Sequence, residues 1–132
     1  MLMDLYEQNY IRLRCLIPNM ETTGIYISEV KGHADLFLTV KENCKYTTFL
    51  NLSYRFQNNK RLVMEPDLNI RVYHDAKTAE VQNRLNRKHQ IMSSKGSIEH
   101  QWRLNRFLYK WLGYCQYQGH KLTILNTWVK NS

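Results

Sequence analysis

The sequence predicts an α+β fold, in which an antiparallel sheet of four to six strands is flanked by an N-terminal and a C-terminal helix packed on one face. Two observations support this prediction. Apolar residues recur at spacings of three and four near each end of the chain, whereas between these segments they alternate with a period of two. The 132 residues, 43% of them apolar, suit a single domain, 1–132, with one core.

The first helix is predicted to run from about Asp4 to Ile17. Its apolar stripe comprises Met3, Tyr6, Tyr10, Leu13 and Ile17. Asp4 and Glu7 resemble a capping box, and Pro18 with Asn19 is expected to end the helix.

The middle of the chain contains alternating segments that predict strands. These are centred on Ile25 and Ile27, on Leu36 to Val40, on Tyr46 to Tyr54, and on Leu68 to Val72 after Pro66. Their connections, among them Lys31 to Ala34, Glu42 to Lys45 and a turn at Gln57 to Arg61, are short enough only for antiparallel neighbours, and Ala79 to Gln82 suggests a short fifth strand. The face away from the helices is a candidate binding surface, formed by Phe37, Thr39, Thr47, Phe49, Asn51 and Ser53 or by the alternate set.

Positive charge is concentrated near the C-terminus. The net charge is +8, and residues 83–132 contain nine basic side chains against Glu99, whereas residues 1–82 contain ten of each sign. Residues 83–98 are predicted to be a basic, exposed connection. This half of the chain is either a solubilising surface or an attractor of phosphates and other anionic partners.

The second helix is the most clearly predicted element. Ser97 is suited to cap its start and Gly119 to end it. Its apolar stripe comprises Leu104, Phe107, Leu108, Trp111, Leu112 and Cys115. The following segment, 121–129, is expected to return as an edge strand or to lie over the core.

The densest group of polar residues with chemical potential lies at the end of the fourth strand and just beyond it, and comprises Arg71, Tyr73, His74, Asp75 and Glu80. Arg71 and Tyr73 share one side of that strand, while His74 joins the apolar row on the other. We therefore expect a partly buried His74 that is hydrogen-bonded to the backbone or to a carboxylate, and an Arg71 that pairs with Glu80 or with an anionic ligand. Catalysis by His74 with Asp75 or Tyr73 is the less favoured alternative, because such pairs at strand ends more often satisfy turn backbone groups.

A second candidate surface lies on the last helix, opposite its apolar stripe. It combines aromatic and cationic residues, namely Trp102, Arg106, Tyr109 and Lys110, with Tyr117 beyond them. Three explanations remain open: the C-terminal segment covers this surface, a protein partner binds it, or nucleic acid stacks on it.

Cysteine usage and hydropathy narrow the function classes. The three cysteines show no metal-binding spacing, so we predict free thiols, no metal and no cofactor, with Cys15 and Cys115 buried. No signal peptide or membrane-spanning run is recognisable, which favours the cytoplasm.

The ordered residues resemble the DUF1249 family of small proteins of unknown function. The resemblance rests on Glu7, Asn9, Tyr10, Leu13, on Ile70 to Ala76 with Glu80, and on Asn105, Phe107, Leu108, Trp111, Leu112, Cys115 and Gly119. It implies a proteobacterial cytosolic protein without an assigned activity. Residues 83–98 fit the pattern poorly, so the resemblance implies no function for them.

Together, these features favour a non-enzymatic binding or regulatory protein that acts through a surface, on a protein partner or a second copy of itself. The alternative is nucleotide or weak, non-specific nucleic-acid binding through the basic C-terminal half. A second alternative is a small enzyme that uses His74 and Asp75.

Overall fold

The computed structural model describes residues 1–17, 20–92 and 97–122. Helix α1 spans Leu2–Leu16 and helix α2 spans Ile98–Gln118. The strands are β1 (Gly24–Ser28), β2 (Asp35–Asn43), β3 (Thr47–Asn58), β4 (Arg61–Tyr73) and β5 (Thr78–Arg84). They form one antiparallel sheet in the order β1-β2-β3-β4-β5, which confirms the predicted α+β class.

Both helices pack on the same face of this sheet. Leu13 and Leu16 of α1 share a single hydrophobic cluster with Leu108 and Leu112 of α2. The strands contribute the alternate residues of one face, among them Leu36, Leu38, Val40, Leu50, Leu52, Leu68, Ile70 and Val72. The opposite face of the sheet carries no helix in the described part of the chain.

Helix α1 begins earlier than predicted, so the expected capping box is wrong. The helix starts after Met1, no side chain caps it, and Asp4 already lies in its first turn. Asp4 instead faces the terminal ammonium of Met1 at 3.7 Å. Asn9 is fully buried on the inner face, whereas Met3 is exposed. The predicted stop at residues 18–19 lies outside the described residues.

The turn between β3 and β4 is shorter than the predicted turn at Gln57 to Arg61, and the two strands are correspondingly longer. Both strands continue to a two-residue turn, in which Asn59 and Lys60 have φ values of 51° and 66°. Strand β4 also runs through Pro66, because the register shifts there, and a residue without an N–H is tolerated at such an irregularity.

The predicted connection at 83–98 is structured where it is described. Asn83 and Arg84 belong to β5. Leu85 is buried and bridges Ile91, and the backbone N–H of Asn86 donates to the carbonyl of Gln90 at 2.8 Å. We call residues 85–91 the basic hairpin. Most of its side chains are exposed, as expected, and residues 93–96 lie outside the described residues.

Helix α2 has the predicted ends. The hydroxyl of Ser97 accepts from the backbone N–H of His100 at 3.2 Å, and Gly119 adopts a left-handed conformation with φ of 97°. The predicted stripe is buried except for Phe107, which is 43% exposed because it lies at the edge of the stripe. Beyond Leu122, which is buried, the predicted C-terminal strand or cover lies outside the described residues.

Buried polar contacts join the two helices to β5. Asn9 Nδ2 donates to the backbone carbonyl of Asn105 at 3.1 Å, and Asn105 Oδ1 accepts from the backbone N–H of Val81 at 2.9 Å. Further along both helices, Arg12 Nη1 donates to the carbonyl of Tyr109 at 3.1 Å. Because these contacts advance in the same direction along α1 and α2, the helices run parallel.

The cysteines differ in accessibility. Cys115 is buried as predicted, but Cys15 is exposed because it lies on the outer side of α1. Burial raises the pKa of the Cys115 thiol to about 11, so this thiol is protonated at neutral pH. No helix in the described ranges is long and apolar enough to span a membrane.

Candidate functional site

The side chains that point away from the helices form what we call the helix-free face. This face comprises Phe37, Thr39, Phe49, Asn51, Ser53, Arg55, Asp67, Asn69, Arg71, Tyr73, Glu80 and Gln82. It includes much of the surface predicted from strand alternation. It also includes three of the predicted candidate residues, Arg71 and Tyr73 of β4 and Glu80 of β5. Strand pairing therefore brings Arg71, Tyr73 and Glu80 together.

Arg71 and Glu80 are joined through a tyrosine rather than directly. Arg71 Nη1 donates to the hydroxyl of Tyr73 at 3.2 Å, and that hydroxyl donates to Glu80 Oε1 at 3.0 Å. Gln82 Nε2 also donates to Glu80 Oε1, at 3.2 Å. Burial, and then the nearby Glu80 carboxylate, raises the pKa of Tyr6 on α1. Glu80 is therefore engaged by internal partners, and Arg71 forms no ion pair with any residue that the structure describes.

Two arginines on this face are stacked on phenylalanine rings. The guanidinium carbon of Arg71 lies 4.3 Å from the ring centre of Phe49, and that of Arg55 lies 4.3 Å from the ring centre of Phe37. Both arginines are half-buried. Burial lowers the pKa of Arg55, against a smaller opposing effect of Asp67. Cation–π contact fixes both guanidinium planes but does not neutralise their charge.

A chain of polar side chains crosses the centre of the helix-free face. Asn51 Nδ2 donates to Asp67 Oδ1 at 2.7 Å and to Asn69 Oδ1 at 3.1 Å. Asn69 Nδ2 in turn donates to Asn83 Oδ1 at 2.7 Å. The other oxygen of the buried Asp67 contacts Nδ1 of His89 in the basic hairpin. These bonds attach the basic hairpin to the centre of the sheet.

His74 lies at the margin of the core, but its side-chain partner is not a carboxylate. Its Nε2 is 2.6 Å from the hydroxyl of the buried Thr48, which donates to Asn43 Oδ1 at 2.7 Å. Its backbone N–H donates to the carbonyl of Tyr46. Burial lowers the pKa of His74, with Arg14 adding to the effect. A neutral, structurally bonded histidine follows from this environment.

Asp75, the neighbour of His74, has a separate set of hydrogen-bond partners. Asp75 is exposed in the turn after β4, where its Oδ1 accepts from the backbone N–H of Ala76 at 2.9 Å. Among the described residues, no hydrogen bond joins the two side chains. The carboxylate that does contact a histidine is Asp67, bonded to His89, and neither residue was among the predicted candidates.

The aromatic and cationic residues of α2 divide between two environments. Tyr109 faces α1, where the guanidinium of Arg12 lies 3.8 Å from its ring centre and Nη2 donates to its hydroxyl at 2.9 Å. Trp102 and Arg106 remain exposed and contact each other at 5.0 Å, and Lys110 is also exposed. Tyr117 is exposed as well, so Trp102, Arg106, Lys110 and Tyr117 of the predicted surface face solvent and Tyr109 does not.

Sequence reasoning missed Arg55, Asp67 and His89. Period-two alternation, counted backwards along the strand from Arg71, puts Asn69 and Asp67 on the same side as Arg71. A polar row could therefore have been found from the sequence. The contact with His89 depends on how the basic hairpin folds, which alternation does not report. In ranges 1–17, 20–92 and 97–122, no three His, Cys, Asp or Glu side chains group closely enough to hold a metal ion.

Comparisons with known proteins agree on one family. A family model described as "Protein of unknown function (DUF1249)" matches residues 12–121. The uncharacterized protein YqiB from Escherichia coli strain K12 is 29% identical over 124 residues, which covers 89% of this chain and 88% of the relative. YqiB from Escherichia coli O157:H7 and from strain CFT073 match equally well. No solved structure matches.

Proposed function

This chain belongs to the DUF1249 family, whose description assigns no function, and we propose that it is a non-enzymatic binding or regulatory protein of the cytoplasm. Its binding surface is the helix-free face, and its partner is a protein that presents an acidic segment. One observation carries the proposal: Arg55 and Arg71 are half-buried on that face, and neither meets a carboxylate at ion-pair distance in the described part of the chain.

Half-buried, unpaired arginines favour an anionic partner. Both guanidinium groups are half-buried and have lost part of their hydration, and among the described residues no ion pair compensates this loss. Burial also lowers the pKa of Arg55. A carboxylate from a partner would restore the lost interaction through short, charge-assisted hydrogen bonds. Because the rings of Phe37 and Phe49 fix both guanidinium planes, little side-chain entropy remains to be lost on binding.

The same stacking favours a protein over a nucleic acid. Single-stranded nucleic acids bind to sheets by stacking bases on open aromatic faces. Here each phenylalanine ring already has a guanidinium over it, while the edges of the guanidinium groups are suited to bidentate contacts with carboxylates. Nucleotide or nucleic-acid binding remains the second candidate, supported by the basic charge of residues 83–132.

Direct binding tests this proposal. The probes are a fluorescein-labelled peptide rich in Glu and Asp and a labelled single-stranded oligonucleotide of equal net charge, both at low salt. We expect the peptide to bind more tightly, and Arg71→Gln or Arg55→Gln to weaken it about tenfold, as expected for loss of a charge-assisted bond. Arg61→Gln, at the exposed β3–β4 turn, makes the same change in charge and should leave the affinity within about twofold.

Two results would contradict the proposal. Absence of peptide binding at low salt would show that the helix-free face does not bind an acidic segment. An equal loss of peptide affinity in Arg61→Gln and Arg71→Gln would show that only the net charge of the protein matters. Tighter oligonucleotide binding that is insensitive to Arg71→Gln would favour the nucleic-acid alternative.

A further inference from the structure

A groove of about 790 Å³ lies beside the N-terminal half of α2, and neither Arg55 nor Arg71 lines it. One wall is α2 and the other is formed by the basic hairpin and the irregular part of β4. The residues that matter for its chemistry are Pro66, Arg84, Leu85, Met92, Leu104 and Phe107. Its volume falls within the range of about 300–1,000 Å³ that is typical of small-molecule sites.

The groove has an apolar lining. Leu104 and Leu85 are 9% and 7% exposed, whereas Phe107 and Met92 are 43% and 40% exposed. The ring centre of Phe107 lies 6.2 Å from that of Trp111, which is part of the core. Phe107 is therefore an apolar side chain supported from behind by the core and open to the groove in front.

The lining of the groove carries charges of both signs, including the buried Asp67, whose carboxylate is bonded to His89, and three arginines that differ in their partners. Arg87 donates to both carboxylate oxygens of Glu65 at 3.1 Å, and Arg103 donates to Glu99 at 2.6 Å. Arg84 instead places Nη2 at 3.4 Å from the sulfur of Met92. A thioether is a weak acceptor, and Arg84 meets no carboxylate at ion-pair distance among the described residues.

We infer that this groove binds a small amphipathic anion. Its phosphate or carboxylate pairs with Arg84, and its apolar or aromatic body packs on Leu104 and Phe107. A mainly apolar cleft with a few polar groups has the composition of a ligand site. Arg84 is the lining arginine that meets no carboxylate at ion-pair distance among the described residues, so it favours an anionic ligand. This inference does not depend on the helix-free face, because the two sites have no arginine in common.

Amide chemical shifts of the ¹⁵N-labelled full chain test the inference. The probes are adenosine monophosphate, which carries a phosphate on an aromatic body, and decanoate, which carries a carboxylate on an aliphatic one. We expect at least one of them to shift the amides of Leu85, Leu104 and Phe107. If only one probe binds, its identity shows whether the ligand of the groove is a nucleotide-like or a fatty-acid-like anion.

Variants separate a specific site from general attraction by a basic protein. Arg84→Gln should weaken anion binding about tenfold, and decanol should bind less tightly than decanoate. Arg106→Gln, on the outer side of α2, makes the same change in charge and should leave the affinity within about twofold. Phe107→Ala should weaken both organic probes but leave binding of inorganic phosphate unchanged.

Three results would overturn the inference. The first is that neither probe shifts the amides of the groove residues. The second is that Arg84→Gln and Arg106→Gln weaken probe binding equally. The third is a set of nuclear Overhauser contacts between Phe107 and residues 123–132, because the chain's own C-terminal segment would then be the occupant of the groove.

Discussion

At the scale of single residues, burial keeps His74 and His120 neutral at ordinary pH. Burial is the main cause that lowers the pKa of each ring below its usual value. His74 is bonded to Thr48, and Nδ1 of His120 lies 2.9 Å from the hydroxyl of Ser28. Both rings therefore serve the fold, and protonation of either one opposes folding.

This assignment predicts a loss of stability in mild acid. The unfolded chain protonates these histidines near their usual pKa of about 6.5, whereas the folded chain protonates them only at lower pH. Their contribution to stability is therefore complete above about pH 6.5 and is lost as the pH falls from there through the folded-state pKa values. Urea midpoints measured between about pH 7.5 and 5.5 should fall in the wild type.

The double variant His74→Gln with His120→Gln supplies the comparison. Its urea midpoint should vary less with pH over the same window, although it is less stable overall. His100 provides the control, because it is not among the groups that shift the pKa of either ring, and His100→Gln should therefore retain the wild-type dependence. Equal dependence in the double variant and the wild type would show that neither buried ring carries the effect.

At the scale of elements, Asn105 is the polar residue that joins α2 to β5. It is fully buried, and replacing it with Ala leaves the backbone N–H of Val81 without its acceptor. We expect Asn105→Ala to lower the free energy of unfolding by about 2–3 kcal/mol, the cost of an unsatisfied buried donor together with the lost side-chain bond. Urea unfolding measures this loss.

Amide hydrogen exchange and a matched variant test whether the loss of stability in Asn105→Ala arises from its bond to Val81. The amide of Val81 should exchange with solvent faster in Asn105→Ala than in the wild type. Gln116→Ala removes an exposed amide from the same helix and should change stability by less than about 0.5 kcal/mol. An unchanged urea midpoint in Asn105→Ala would contradict the assigned role.

The elements themselves were largely predictable, for physical reasons. Period-two alternation and short connections leave an antiparallel meander as the one simple solution, and Ser97 and Gly119 supply local signals for the ends of α2. Local signals failed where tertiary packing decides. Asp4 lies inside the helix rather than at its cap, and β4 passes through Pro66 because a register shift accommodates it.

At the scale of the whole molecule, the basic charge of residues 83–132 is less available than its count suggests. Arg87 and Arg103 are paired with Glu65 and Glu99. We therefore expect weak, non-specific binding to a labelled single-stranded oligonucleotide, with an affinity that falls steeply as salt is raised. Fluorescence anisotropy at low and physiological salt measures this dependence.

Charge reversal locates the binding. Arg84, Arg87 and Lys88 replaced together by Glu should abolish oligonucleotide binding at low salt, because they are the Lys and Arg residues of the basic hairpin and of the position before it. Tight binding at physiological salt, or unchanged binding after the reversal, would contradict a weak electrostatic attraction through this hairpin.

The candidate site was predictable only in part, because it depends on contacts between distant segments. Period-two alternation along the fourth strand predicted that Arg71 and Tyr73 share one face of the sheet. The stacking of Arg55 on Phe37 requires the register between β2 and β3, and the groove requires the basic hairpin to fold beside α2. Neither is encoded in any short stretch of sequence.

The parallel pairing of the two helices has a consequence for how the chain acquires its structure. Asn9 and Arg12 find their partners 96 and 97 residues later, at Asn105 and Tyr109. During synthesis the first helix therefore leaves the ribosome long before α2, which provides part of the surface on which it packs. The meander is able to pair as it emerges, since each strand follows its neighbour. The apolar side of α1 is fully covered only when α2 is complete, because α1 packs on both β5 and α2. Until then part of this apolar side is exposed, and exposed apolar surface favours aggregation.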